Sequence, residues 1–201
     1  MHRRILNRGG VFIDVGASFG LFTCLLSCLP GVKTVAIEPY CKSFKLLKDN
    51  IKNNRQQHNV IAVQGAIASN NLVPFQEPIK GNIGTGKTRI NQDSYQSDYF
   101  VAAITINQLI NNLGIKNIEL LKIDVEGAEL DVLKSLDFEN GIAPKHIILE
   151  YVQILNPNIN EVFKFLTNRG YSAYTIEMEP LLQPPVEHLI DSNMYFVKKN
   201  D

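Results

Sequence analysis

A chain of 201 residues has room for one α/β domain with a full hydrophobic core and little room for a second. Its 45% hydrophobic and 20% charged residues are those of an ordinary globular protein and exclude an intrinsically disordered one. Twenty basic residues balance twenty acidic ones, so no net positive field exists to draw nucleic acid, and the expected partner is a small molecule. Cys24, Cys28 and Cys41 form an odd set without CxxC spacing, which argues against a disulfide framework or a zinc site and for a reducing, cytoplasmic compartment. The apolar run at 19–29 is shorter than the roughly 20 residues a bilayer span needs, and no cleavage site follows it, so neither membrane insertion nor secretion is expected. Oligomeric state is not written in these totals.

Short β-branched runs at 11–15, 34–37, 60–63, 120–125 and 146–151 are apolar and unbroken, and helical patterns separate them. That alternation predicts a parallel sheet covered by helices on both faces, within a single domain spanning 1–201. Between the second and third runs, residues 40–54 place Phe44, Leu47 and Ile51 on one face and four lysines elsewhere, a helix with Pro39 suited to its first turn. Residues 74–98 are rich in Gly, Asn, Gln and Ser and read as a long surface loop, which with 177–192 is expected to cover the substrate. Thr105 or Asn107 can cap the next helix and Gly114 can close it in a left-handed conformation. A helix after Gly127 uses Val132, Leu133 and Leu136; another at 159–168 stops at Gly170; the runs at 171–176 and 194–197 then form a hairpin-like pair.

The first strand runs into Asp14-Val15-Gly16-Ala17-Ser18-Phe19-Gly20, a glycine turn followed by a helix, at the strand end where open α/β sheets bind ligands. Gly16 allows backbone angles and a close approach that a Cβ would forbid, and Gly20 lets the helix pack close to the sheet. A dinucleotide site needs a second glycine at the position of Ser18 so that the backbone reaches a pyrophosphate. Asp14 repels pyrophosphate but suits a cation, and S-adenosylmethionine carries a sulfonium and an amino group without any phosphate. Glu38, eighteen positions past Gly20, can accept hydrogen bonds from both hydroxyls of a ribose, and Gly65-Ala66 leaves room for a flat base. The string from Gly81 to Thr88 has P-loop spacing but neither a strand before it nor a helix after it, so it is not read as a phosphate cradle.

With Leu121-Lys122-Ile123-Asp124-Val125-Glu126-Gly127-Ala128-Glu129 added to these features, the sequence resembles the FkbM family of S-adenosylmethionine-dependent methyltransferases over nearly its whole length. The resemblance implies a Rossmann-like, seven-stranded methyltransferase sheet, mostly parallel with an antiparallel last strand, and an oxygen acceptor on a sugar or natural product. It implies cofactor contacts at Asp14, Gly16, Ala17, Ser18, Gly20, Glu38, Pro39, Gly65, Ala66 and Asp124. Ser18 departs from the family's usual Asn, and Asn107 from its threonine-leucine-aspartate run. Two other readings stay open: a protein that holds the cofactor without transferring methyl, and a nicotinamide-dependent oxidoreductase. Methyltransferases acting on nucleic-acid amino groups place Asp or Asn before two prolines and an aromatic, whereas Asp124 precedes Val125-Glu126-Gly127.

Transfer to a hydroxyl needs alignment and a proton acceptor. Asp124 and Glu126 share a face if the fourth strand persists past 125, and Glu150 ends the next strand beside them. Glu126 can instead stabilise the start of the following helix. The same carboxylates could hold a divalent ion, but without a clear third ligand a metal is not favoured. Of the histidines, His2 and His58 read as surface residues and His146 as a strand start, leaving His188, between the last two strands, as an acid/base candidate.

Overall fold

The computed structural model describes residues 5–78, 87–88, 97–139, 141–151, 158–184 and 192–199. In chain order the elements are β1 (Gly10–Val15), α1 (Leu21–Ser27), β2 (Val32–Glu38), α2 (Cys41–Asn53), β3 (Val60–Gln64), β4 (Ala66–Ile67), β5 (Leu72–Gln76), β6 (Lys87–Thr88), β7 (Tyr99–Ile104), α3 (Ile106–Leu113), β8 (Leu120–Ile123), α4 (Glu129–Lys134), β9 (His146–Tyr151), α5 (Ile159–Thr167), β10 (Tyr171–Tyr174), β11 (Pro180–Leu181) and β12 (Ser192–Lys198).

The main sheet has the order β11-β10-β12-β9-β8-β1-β2-β3. All pairings from β9 through β3 are parallel, while β12 runs antiparallel to both β9 and β10. Seven of these strands follow the expected plan, antiparallel last strand included; the two-residue β11 adds an eighth at the edge. Chain order reverses direction at β1, whose neighbours are β2 and β8, so the carboxyl ends of β1 and β8 form the crevice where α/β sheets take ligands.

Helices cover both faces, as the unbroken apolar runs require. On one side Ile13, Val35, Ile37, Leu121, Ile123, Ile147 and Leu149 pack against Leu109 of α3, Leu133 of α4, and Val162 and Leu166 of α5. On the other, Phe12, Leu120 and Ile148 meet Leu26 of α1, and Ala36 and Val60 meet Leu47 and Ile51 of α2. Each such Leu, Ile or Phe removed from water contributes about 1.5–3 kcal/mol. Thr105 caps α3 in a reciprocal capping box with Gln108, and Gly114 ends the helix at φ 63°. Asn107 is not the cap; its side chain accepts the Asp137 N–H at 3.1 Å and ties α3 to the loop after α4.

Two expectations are corrected. Residues 74–98 do not all form a loop: β5 pairs antiparallel with β7 in a second, four-stranded sheet, β4-β7-β5-β6, that buries Val73, Phe75, Val101 and Ala103 against Tyr40. Pro74 reads as a strand breaker, yet it takes a ladder position opposite Phe100 on the outward face. Pro39 precedes the first turn of α2 rather than entering it, because Tyr40 occupies the cap position in extended conformation and its N–H donates to Glu38 Oε1 at 2.8 Å.

Candidate functional site

A cavity of about 340 Å³ opens where β1, β2, β8 and β9 end. Its floor is the turn after β1. The N–H groups of Gly16 and Ala17 both donate to the Ile37 carbonyl at 3.0 Å, which pins the turn to β2. Gly16 has φ 81°, and a Cβ there would stand 1.8 Å from the Asp124 carbonyl oxygen, so its close approach is to the end of β8. Gly20 makes the same kind of approach to Leu47 of α2, 2.5 Å from a built Cβ, rather than to the sheet, and it does not line the cavity.

Glu38 ends β2 with its carboxylate fixed by two backbone donors, the Ser18 N–H on Oε2 and the Tyr40 N–H on Oε1, each at 2.8 Å. The Ser18 donor is available because Ser18 adopts φ 51°, and its own Oγ is buried without a hydrogen-bond partner. Burial pushes the Glu38 carboxyl up to about 7 although both amides pull it down. Ala17, Ser18, Glu38, Pro39, Gly65 and Ala66 all line the cavity.

Asp14 is placed differently. It is 1% exposed and lies behind the cavity wall, accepting the Thr23 hydroxyl at 2.7 Å on Oδ2 while Oδ1 stands 3.9 Å from the Lys122 ammonium. Lys122 is itself buried. Its Nζ reaches Asp124 Oδ2 at 2.7 Å and sits 4.9 Å over the Phe22 ring. Burial opposes its charge, but Asp14 and Asp124 together hold the ammonium above its usual range. A charged residue inside the apolar run Leu120-Leu121-Lys122-Ile123 had to have a buried partner, and that signal could have identified Lys122 from the sequence.

Asp124, Glu126 and Glu150 bring carboxyl oxygens within 4.8 Å of one another. They meet by a route other than the expected one. β8 ends at Ile123, so Asp124 and Glu126 do not share a strand face; Glu126 at φ 55° and Gly127 at φ 106° turn the chain back. Burial works against an ionised Asp124, but a hydrogen bond with Glu150 and the Lys122 charge hold it below the usual carboxylate range. The same hydrogen bond, with burial and the Asp124 charge, raises Glu150 to about 8. The three carboxyl oxygens lie close enough together to meet one divalent ion, which gives the third candidate ligand that the sequence did not show, and the Lys122 ammonium stands 2.7 Å from Asp124. At the start of α4 the Glu129 carboxylate accepts the Gly127 N–H at 3.1 Å.

His188 lies outside the described residues, as do His2 and most of the segments at 79–96 and 185–191. His146 sits at the opposite end of β9, with Nδ1 2.7 Å from the Tyr195 hydroxyl, remote from the cavity.

The FkbM methyltransferase domain matches residues 14–173, from the buried aspartate of β1 into β10. The chain belongs to the FkbM methyltransferase family. Its relatives include methyltransferase sdnD of Sordaria araneosa, 26% identical over 167 residues that cover 69% of this chain and 64% of that protein. The hexuronic acid methyltransferase AglP of Haloferax volcanii is 30% identical over 128 residues, 63% of this chain and 49% of AglP. The chain thus spans less than two thirds of the length of these relatives. An O-methyltransferase from Bacillus cereus, in complex with SAH, shares the fold with a TM-score of 0.56 at 13% identity, over 98% of this chain and 79% of that one.

Proposed function

We propose that this FkbM domain is an S-adenosylmethionine-dependent O-methyltransferase acting on a hydroxyl of a small molecule, and that residues 1–201 form a single catalytic domain. One observation carries the reading: the cavity places Glu38 and Gly65-Ala66 at one end and the Asp124–Glu126–Glu150 cluster at the other. The first end suits a nucleoside. The second is acidic, which repels a pyrophosphate and suits a sulfonium, so the nicotinamide alternative is disfavoured by charge sign. The likeness to a methyltransferase in complex with SAH supports the same cofactor. Exposed, free Cys28 and Cys41 favour a reducing compartment such as the cytoplasm.

When bound, S-adenosylmethionine supplies a methyl group already activated on sulfur. The chain's part is to hold and to deprotonate. Glu38, with one amide on each oxygen, keeps further lone pairs for ribose hydroxyls; Ala17, Ser18 and Pro39 shape the wall beside it. Asp14 acts one layer behind, anchoring Lys122, and Lys122 keeps Asp124 ionised. An acceptor hydroxyl entering past Leu21 and Phe22 gives its proton to the carboxylate cluster, where Asp124 is the ionised member.

Calorimetry followed by single-turnover methyl transfer tests this. The parent should bind S-adenosylmethionine, and Glu38→Ala should weaken it by about 1–3 kcal/mol through lost charged hydrogen bonds. Asp124→Asn and Glu150→Gln should slow transfer at saturating cofactor by roughly 10²-fold or more. Binding of a nicotinamide dinucleotide without any response to S-adenosylmethionine would overturn the assignment. Cofactor binding with parent-rate transfer in the carboxylate variants would move the base to His188.

A further inference from the structure

The chain is neutral as a whole, but its charge is unevenly placed. Residues 41–55, which form α2 and the turn after it, carry Lys42, Lys45, Lys48, Lys52 and Arg55 against a single acid, Asp49. The lysines recur three or four residues apart and form one exposed stripe beside the buried face of Phe44, Leu47 and Ile51. Lys42 stands 3.9 Å from Glu77, whereas no acid among the described residues pairs with Lys45, Lys48, Lys52 or Arg55. Next to the stripe Leu46 is 41% exposed, and one turn on Asn50 donates to the Phe19 carbonyl at 2.8 Å, which ties α2 to the lip of the cavity. At that lip Phe19 and Leu21 are 45% and 57% exposed.

We propose that α2 and the adjoining lip are a peripheral docking surface for an anionic lipid bilayer, held by Lys45, Lys48 and Lys52 and wedged by Leu46, Phe19 and Leu21. A row of unpaired cations beside exposed apolar side chains suits an acidic protein or an anionic lipid surface. Protein interfaces are depleted in lysine and anchored by arginine and aromatic residues in fitted pockets, but four of the five cations here are lysines. A headgroup layer asks for no fitted pocket. Each ammonium gains from the negative surface potential, and single leucine or phenylalanine side chains enter the boundary with the acyl chains. No helix among the described residues is long and apolar enough to cross a membrane, so the contact is with the bilayer surface and is reversible. The docking surface does not depend on the cofactor reading of the cavity.

The test is co-sedimentation of the full chain with vesicles of phosphatidylcholine alone or mixed in equal parts with phosphatidylglycerol. The parent should bind the anionic vesicles at least about tenfold more tightly than the neutral ones at low salt, and the preference should fall as salt rises. The triple variant Lys45→Gln, Lys48→Gln, Lys52→Gln should lose the preference. A control triple, Lys116→Gln, Lys134→Gln, Lys164→Gln, removes the same charge away from α2 at exposed positions and should keep it. Because the chain has no tryptophan, Leu46→Trp gives a single reporter whose emission should shift to the blue on anionic vesicles and be quenched by brominated acyl chains. Leu113→Trp, on α3 across the sheet, should report neither change. No preference for anionic vesicles, equal loss in both triples, or an unshifted Leu46→Trp emission overturns the proposal. So does binding of polyglutamate or a single-stranded oligonucleotide as tight as that of the vesicles, which would assign the stripe to a soluble polyanion. S-adenosylmethionine affinity, measured on the same proteins, should be alike in parent and triple variants; its absence in the parent defeats the cofactor reading and leaves the vesicle result standing.

Discussion

Asp14 shows how a residue picked for one reason can matter for another. Its position before the glycine turn suggested a direct contact with a cationic ligand, but it is buried against Thr23 and Lys122 and exerts its charge through them. Glu38 is where the sequence placed it, at the end of β2 and facing the cavity, and its environment makes a pH prediction. Burial raises its folded pKa from 4.5 to about 7. A carboxyl that binds its proton more tightly when folded adds stability that is fully present below 4.5 and is lost as pH rises through 7. The cofactor-free protein should therefore lose about 1.4 kcal/mol per pH unit from this group across that window, and Glu38→Gln should remove that slope. Urea unfolding of parent and variant at a series of pH values measures the difference; equal slopes would show that Glu38 titrates alike in both states.

Among the elements, those with strong local signals formed where expected. α3 has its cap at Thr105 and its left-handed stop at Gly114 because both are decided within a few residues. Thr105→Ala removes the acceptor of the Gln108 N–H and should cost about 1 kcal/mol in thermal or chemical unfolding, with Thr105→Ser recovering most of it. β8 behaved otherwise. Its apolar run continues through Val125, but the strand ends at Ile123, since Glu126 and Gly127 take positive φ and the ladder with β9 closes at Ile123↔Leu149. β5 and β7 were hidden by Pro74 and by the polar residues between them, although Val73, Phe75, Val101 and Ala103 keep the two-residue period.

At the scale of the molecule, the sheet places its most protected strands under the site. All four residues of β8 are buried between β1 and β9, whereas the smaller sheet leaves Leu72 and Phe100 60% and 55% exposed. Native-state hydrogen exchange should thus show Ile13–Val15 and Leu120–Ile123 opening only with global unfolding and β5–β7 opening at lower free energy. Uniform protection across both sheets would contradict that ranking. A rigid floor of this kind lets the turn at Gly16–Gly20 and the loop at Asp124–Gly127 hold their left-handed residues without relaxing.

By itself the sequence determined the α/β plan, the glycine turn, the acidic end of β2, the helix caps and the family resemblance. These rest on periodicity, backbone permissiveness and spacing, which act over a few residues and survive as patterns. The tertiary structure alone decided that Asp14 lies behind the wall and that Lys122 bridges it to Asp124. It also decided that Glu150 meets Asp124 and Glu126 and that Glu129 accepts the Gly127 N–H ahead of α4. These groups come from β1, β8 and the turn after it, β9 and the start of α4, and no local rule states how far apart their side chains will be. Parallel pairing of β1 with β8 and of β8 with β9 sets the distances, and burial then fixes which of the groups keep their charge.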